Sequence, residues 1–322
     1  MISEEKLKQQ LKYNLDKTNF KIGKKYKGKV RDNYSFDGKR LIITTDRISA
    51  FDRVLCTLPF KGQVLNQTAA FWFEKTKNIV QNHLLEVPDP NALLARECKL
   101  IPVEMVVRGY LTGITTTSAW YNYSRGVRNF CGNILPEGMR KDEKFKKPII
   151  TPSTKAEKGL HDESVSAEEV IKRKLVDEKL YRKMEKAALE LYNFGNKFVN
   201  KNNLILVDTK YEFGIDKNKN LTLIDEMHTP DSSRFWIKDT YDELFSKREE
   251  PQKLDKEYVR QFLSKKGFIG EGKVPEIPDE VKIEAARRYI QAYEMITGKE
   301  FDADVGDVRE RIRSNLAAKN LL

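Results

Sequence analysis

The run Leu204-Ile-Leu-Val-Asp208-Thr-Lys210-Tyr-Glu212-Phe-Gly214, followed by Leu221-Thr-Leu-Ile-Asp225-Glu226, sets charge on an otherwise apolar scaffold. Alternate residues of a strand share a face, so Asp208, Lys210 and Glu212 project to one side while Val207, Thr209, Tyr211 and Phe213 project to the other. The polar run Asp216 to Asn220 reads as the turn of an antiparallel hairpin. Centred between Asn218 and Lys219, that hairpin sets Glu212 opposite Asp225, with a Cβ separation of about 5 Å. Two carboxylates at that range repel unless a cation or a proton lies between them. Magnesium suits the pair because it combines carboxylate oxygens with phosphate and water oxygens. A solvated acidic edge on an exposed hairpin is the alternative, and Lys210 beside the acids favours a site.

Three further groupings could carry chemistry. Gly28-Lys29-Val30-Arg31-Asp32 combines a glycine, over which a phosphate can approach the backbone, with two cations expected on one face of a strand. It fits neither standard glycine-rich phosphate motif, and cations on a strand edge explain it equally. His228-Thr-Pro230-Asp231-Ser232-Ser233-Arg234 follows the acidic hairpin, where a proline-led turn can gather hydroxyls, N–H groups and a guanidinium around an anion; a plain polar turn capped by Asp231 is the other reading. Arg108 ends an apolar strand, where it reaches either solvent or a ligand.

The elements that position these groups are legible in outline. Residues 27–46 alternate as two strands joined at Asp37-Gly38. Residues 64–80 have helical spacing, with Phe71, Trp72 and Phe73 as core rings, and residues 100–108 form an apolar strand. An irregular Gly/Pro/Thr/Ser region between Gly109 and Asp162 is expected to carry substrate-contacting loops. Ser166 and Glu169 form a capping box that opens one long helix through Leu191. Beyond a charged linker at 247–251 lie a helix and, from Pro278, two more, the first closing at Gly298.

At 322 residues and 39% hydrophobic, the chain can bury a large core. Its net charge of +11 attracts anions, but 48 acidic residues are interspersed with 59 basic ones, unlike a dedicated nucleic-acid arm. No stretch approaches the ~20 apolar residues of a membrane span, and the opening lacks a signal peptide's pattern, so a cytoplasmic protein without membrane association is expected. Cys56, Cys98 and Cys131 fit neither a disulfide framework nor a zinc site, and His83, His161 and His228 form no metal-binding pair.

Leu206-Val-Asp208-Thr-Lys-Tyr-Glu-Phe-Gly, Leu100-Ile-Pro-Val-Glu104-Met-Val-Val-Arg108 and Asp225-Glu followed by Pro230-Asp and Arg234 together resemble the phosphoribosylaminoimidazole-succinocarboxamide synthase (SAICAR synthetase) family, from Gly28 to about Arg260. The resemblance implies an α+β or α/β fold: a β-rich, kinase-like N-terminal lobe (1–105), a larger α/β ATP-binding lobe (106–265) and a helical C-terminal extension (266–322). It implies ligation of L-aspartate to carboxyaminoimidazole ribonucleotide with ATP and Mg2+, small-molecule substrates rather than nucleic acid, and a monomer or homodimer. By that resemblance Lys29, Arg31, Leu100 and Lys155 bind ATP, Glu212 and Asp225 hold the metal, and Asp208 and Lys210 are catalytic. Arg108, Ser118, Ser232, Arg234 and Arg260 bind substrate. Ser118 enters through a departure from the family pattern: Gly113 is followed by Ile114-Thr-Thr-Thr rather than directly by serine. Two other readings remain, a small-molecule kinase using the same cleft and a single-strand binder built on Tyr121, Tyr123, Arg125, Arg128 and Phe130.

Overall fold

The computed structural model describes residues 2–51, 53–155, 163–254, 257–268 and 270–322; His161 and Asp162, part of the expected loop region, lie outside them. In chain order the first elements are α1 (Glu4–Gln10), β1 (Lys24–Lys27), β2 (Arg31–Phe36), β3 (Lys39–Thr44), β4 (Arg47–Ala50), β5 (Arg53–Thr57), α2 (Lys61–Thr76), β6 (Leu84–Asp89), β7 (Ala92–Arg96) and β8 (Lys99–Leu111). There follow α3 (Ala119–Tyr123), β9 (Asn129–Phe130), β10 (Asn133–Ile134), β11 (Glu143–Ile150), β12 (Ser153–Thr154), α4 (Ala167–Lys172) and α5 (Glu178–Val199). The chain ends with β13 (Leu204–Ile215), β14 (Leu221–Ile224), β15 (Ser233–Ile237), α6 (Lys238–Lys247), α7 (Glu257–Lys265), α8 (Asp279–Thr297) and α9 (Val308–Ala318).

A five-stranded sheet runs β1-β2-β3-β7-β6, and a six-stranded sheet runs β11-β8-β13-β14 with β12 added to β8 and β15 to β13. Each named strand pair is antiparallel, which makes the fold α+β. One apolar cluster joins both sheets: Ile42, Leu93 and Ala95 pack with Trp72 and Phe73 of α2, Met184 and Leu191 of α5, and Val103, Met105, Tyr211 and Phe213 of the larger sheet. The division expected at residue 105 therefore falls inside β8 and across shared core. The C-terminal helices pack against the N-terminal half, α8 through Ile283, Tyr289 and Ile290 on Phe60, Val64 and Leu65, and α9 through Val308, Ile312 and Leu316 on Tyr34 and Leu41. No helix among the described residues is long and apolar enough to cross a membrane.

Local signals decide several boundaries. Ser166 and Glu169 form the expected capping box, with both reciprocal bonds present. The single long helix expected from there is two, because Lys174 takes φ +56° and Asp177 caps a new start by accepting from the N–H of Leu180. Gly28 to Val30 are not on a strand: they turn between β1 and β2, closed by the Gly28 N–H on the Arg31 carbonyl at 2.8 Å.

His83 and His228 are buried, 4% and 0% exposed. Burial pushes both imidazoles down to about 3, and at His83 the charges of Arg31, Arg40 and Arg96 add to it. The folded chain thus keeps them neutral while the unfolded chain protonates them below pH 6.5, so each removes about 1.4 kcal/mol of stability per pH unit between pH 6.5 and about 3. Urea unfolding at pH 7, 6 and 5 is expected to show a shallower acid loss in His83→Leu than in the wild-type chain, and equal slopes would contradict this.

Candidate active site

The acidic hairpin forms, with a register one residue away from the expected one. Glu212 pairs with Ile224, Phe213 with Leu223 and Ile215 with Leu221, so the turn is centred on Asn218. The Asp216 carboxylate is the cause: it accepts from the N–H groups of Asn218 at 2.9 Å and Asn220 at 2.8 Å and stabilises a five-residue loop. Asp225 lies one residue past the end of β14, where φ +66° turns it back. Glu212 and Asp225 consequently line one cleft of 510 Å³, although they are not directly opposed.

Lys29, Arg31, Lys155, Lys210, Glu226, Asp231, Ser232 and Arg260 line that cleft as well. Beneath it, Glu212 directly opposes Glu104 of β8. Lys210 Nζ lies 2.6 Å from Glu104 Oε1 and 2.9 Å from Glu212 Oε1, and Lys155 Nζ is 2.5 Å from Glu212 Oε2. Burial raises the Glu104 carboxyl to about 7 in spite of Lys210, and the Glu212 charge adds to the rise. Burial would raise Glu212 too, but Lys210 and Lys155 outweigh it and bring that carboxyl down to about 2. Lys210 between the two acids is held well above the usual lysine range against its own burial.

Across the cleft, Arg31 Nη1 is 2.9 Å from Asp225 Oδ1 and Nη2 is 2.8 Å from Glu226 Oε2. Asp225 is pushed up to about 6, first by burial and then, against Arg31, by the charges of Glu212 and Glu226. The glycine turn is held from behind by Arg47, whose Nε donates to the Lys29 carbonyl at 2.8 Å and whose Nη2 donates to Gly28 O and Asp32 Oδ1, both at 3.0 Å. Lys29 is exposed at the cleft rim, and Arg260 sits with its guanidinium 5.5 Å from the Phe51 ring centroid.

A second cluster adjoins the first along β13. Asp208 Oδ2 lies 2.5 Å from Arg234 Nη1 and 3.3 Å from Arg108 Nη1. Arg108 also donates to Thr151 Oγ1 at 2.8 Å and to the Thr117 carbonyl at 2.9 Å, and burial lowers its guanidinium pKa against the pull of Asp208. Ser118 belongs here: a Cβ on Gly113, whose φ is +94°, would fall 2.5 Å from Ser118 Oγ and 3.1 Å from Arg234 Nη1. Only a glycine lets the 113–118 segment close over Arg234 in this way.

Most of the residues expected from the sequence meet at these two clusters. Leu100 does not: it is 41% exposed near the start of β8 and outside the cleft lining. The sequence motifs leave Glu104, Glu226 and Arg47 without a role, although all three stand at the site. Glu104 carried a signal, being the one carboxylate in an apolar strand and on the same face as Arg108. Of the aromatic side chains a single-strand binder would use, Tyr123 and Phe130 are buried in a small core, with Arg128 3.9 Å above Tyr123, while Arg125 is exposed and stacks 3.6 Å above Tyr121.

Among the described residues no group of three His, Cys, Asp or Glu side chains forms a ready metal cage. The cleft nevertheless fits magnesium, which needs one or two protein carboxylates beside phosphate and water. Glu212 and Asp225 already collect cations, Lys155 and Lys210 on the first and Arg31 on the second, so both carboxylates face groups of the charge a divalent ion would bring.

Comparison with known proteins identifies the family. Residues 24–276 match the SAICAR synthetase family. The phosphoribosylaminoimidazole-succinocarboxamide synthase of Legionella pneumophila (strain Paris) is 46% identical over 305 residues, covering 94% of this chain and 97% of its own. The SAICAR synthase of Saccharomyces cerevisiae, solved in complex with SAICAR, superposes with a TM-score of 0.77 at 33% identity, over 89% of this chain and 99% of that one. A Type-2 SAICAR synthetase solved in complex with ADP gives 0.64 at 25% identity, over 87% and 100%. With a family match over residues 24–276 and a relative 46% identical across nearly its whole length, the chain belongs to the SAICAR synthetase family.

Proposed function

We propose that this cleft joins L-aspartate to the carboxylate of 5-amino-1-(5-phospho-D-ribosyl)imidazole-4-carboxylate, using ATP and releasing SAICAR, ADP and phosphate in purine biosynthesis. The observation that supports the reading is the row of charge along one face of β13: Asp208 meets two arginines while Lys210 and Glu212 meet Glu104 and Lys155, an arrangement suited to an anion site beside a nucleotide site. Relatives that hold SAICAR in one case and ADP in another support the same pairing of ligands.

A carboxylate resists attack by an amine because oxide leaves poorly, and phosphorylating one oxygen makes it a leaving group. Lys29, Arg31 and Lys155 offset phosphate charge in this account. Lys210 keeps Glu104 and Glu212 from repelling one another, which preserves the floor when ligands arrive. Magnesium, held by Glu212 and Asp225, would neutralise the nucleotide phosphates. Arg108, Arg234, Ser118 and Ser232 bind the ribonucleotide phosphate and substrate carboxylates by charge-assisted hydrogen bonds. Asp208 takes the amine proton on Oδ1, its Oδ2 being held by both guanidiniums. Arg260 closes the rim, and the enzyme works in the cytoplasm.

The test is ADP release with each substrate omitted in turn. Turnover that needs ATP, the imidazole carboxylate and L-aspartate together, with the succinocarboxamide identified by mass, is expected. Turnover without aspartate, giving a product that keeps the phosphate, would replace this reading with a kinase.

A further inference from the structure

The hydroxyl of Tyr289, on α8 far from the sequence motifs of the site, donates to Asp231 Oδ1 at 2.6 Å. The other oxygen of Asp231 takes Lys61 Nζ at 2.8 Å, and this ammonium, fully buried at the first residue of α2, lies 5.4 Å from the Tyr289 ring centroid. Asp231 itself lines the cleft, in the same turn that supplies Ser232. Both of its oxygens are thus bonded to groups from α2 and α8.

What Asp231 anchors is a tightly wound turn. Thr229 N–H donates to Ser232 Oγ at 3.1 Å, and Thr229 Oγ1 accepts from the N–H groups of Asp231 at 3.3 Å and Ser232 at 3.2 Å while donating to Glu226. The Ser232 carbonyl takes the Lys210 N–H at 3.1 Å, and Asp208 pairs with Arg234 across β13 and β15. The Asp231 carboxylate is thus linked through the turn to Ser232, and Ser232 and Arg234 are joined to β13.

We propose that Tyr289 and Lys61 are positioning residues for the ligase site, holding the 229–234 turn through Asp231, so that the C-terminal helix α8 is a working part of the cleft. A buried lysine costs free energy unless it is paired, and a core tyrosine needs a partner for its hydroxyl, so both are bound to this carboxylate rather than resting near it. This rests on the function proposed above, and its test separates the two.

Tyr289→Phe removes one hydroxyl and keeps the packed ring. By hydrogen–deuterium exchange of the full chain, peptides covering 226–237 are expected to exchange at least threefold faster in the variant, with α5 and β3 peptides unchanged. In the omission assay, the variant is expected to raise the KM for the imidazole ribonucleotide about tenfold, with the KM for ATP within twofold and kcat reduced less than fivefold. Unchanged exchange in 226–237 would overturn the clamp whatever the enzyme's substrate proves to be. Faster exchange with every kinetic constant unchanged would reduce it to a structural tie and overturn its role in positioning. A wild-type chain inactive with these substrates would sink the function instead, and the exchange result would still decide whether α8 holds the turn.

Discussion

Glu212→Gln is expected to lower kcat by about three orders of magnitude, close to 4 kcal/mol of transition-state stabilisation, while moving the urea midpoint little. The substitution keeps the side chain's shape and removes the charge that meets Lys155, Lys210 and, in the proposed reaction, magnesium. The fold tolerates the change because the site redistributes charge. Glu104 sits near 7 partly because Glu212 is ionised beside it, so without that charge Glu104 ionises more readily and Lys210 keeps a full partner. Lys155 is about one-third exposed and finds water, so the stability loss should be about 1 kcal/mol. Steady-state rates together with urea unfolding check both halves, and a variant with wild-type turnover would refute the role given to Glu212.

Asp208→Asn should be as damaging to activity and far worse for stability. Its Oδ2 carries two guanidiniums, and Arg108 is only 6% exposed. Replacing the carboxylate with an amide leaves two cations, from β8 and β15, facing each other across β13, at a cost of about 3 kcal/mol. The kcat/KM for the ribonucleotide is expected to fall at least a hundredfold, and the KM for ATP to stay within twofold because the proposed nucleotide cluster is built on other side chains. Adding Arg234→Gln to Asp208→Asn removes one of the opposed charges and should restore part of the lost stability without restoring activity. Thermal unfolding of the two variants side by side reads this directly, and equal melting temperatures would contradict the electrostatic account.

Both predictions depend on a pattern that one strand displays openly. Two-residue spacing placed Asp208, Lys210 and Glu212 on one face, and the structure keeps all three there because Tyr211 and Phe213 are locked into the core on the other. Helix starts and stops were equally readable where a short-range device fixes them, as with the Ser166 and Glu169 box or the left-handed Gly298. Errors arose where a side chain altered the backbone count. Asp216 capping two N–H groups shifted the hairpin by one residue, and Asp177 opening a helix of its own split the expected long helix.

Contacts distant in sequence left no trace to read. Lys61 and Asp231 are 170 residues apart, and Tyr289 and Asp231 are 58 apart. Nothing in periodicity marks a buried lysine as the partner of a turn so far along the chain. Arg47 behind the glycine turn is a similar case: it looks like any strand-edge cation until its 1% exposure shows it enclosed between Gly28, Lys29 and Asp32. Family resemblance supplied ligand classes, whereas these supports come only from the folded arrangement.

The proposed reaction requires Glu212 and Asp225 to share a divalent ion that carries the nucleotide. Crystals grown with ADP and manganese, with the ion located by its anomalous scattering, test this most directly. One peak within about 2.2 Å of a Glu212 oxygen, an Asp225 oxygen and a phosphate oxygen is expected, with Lys155 or Arg31 moved from its carboxylate onto phosphate. Manganese bound elsewhere, with Glu212 still joined to Lys155 and Lys210 and Asp225 still joined to Arg31, would contradict it.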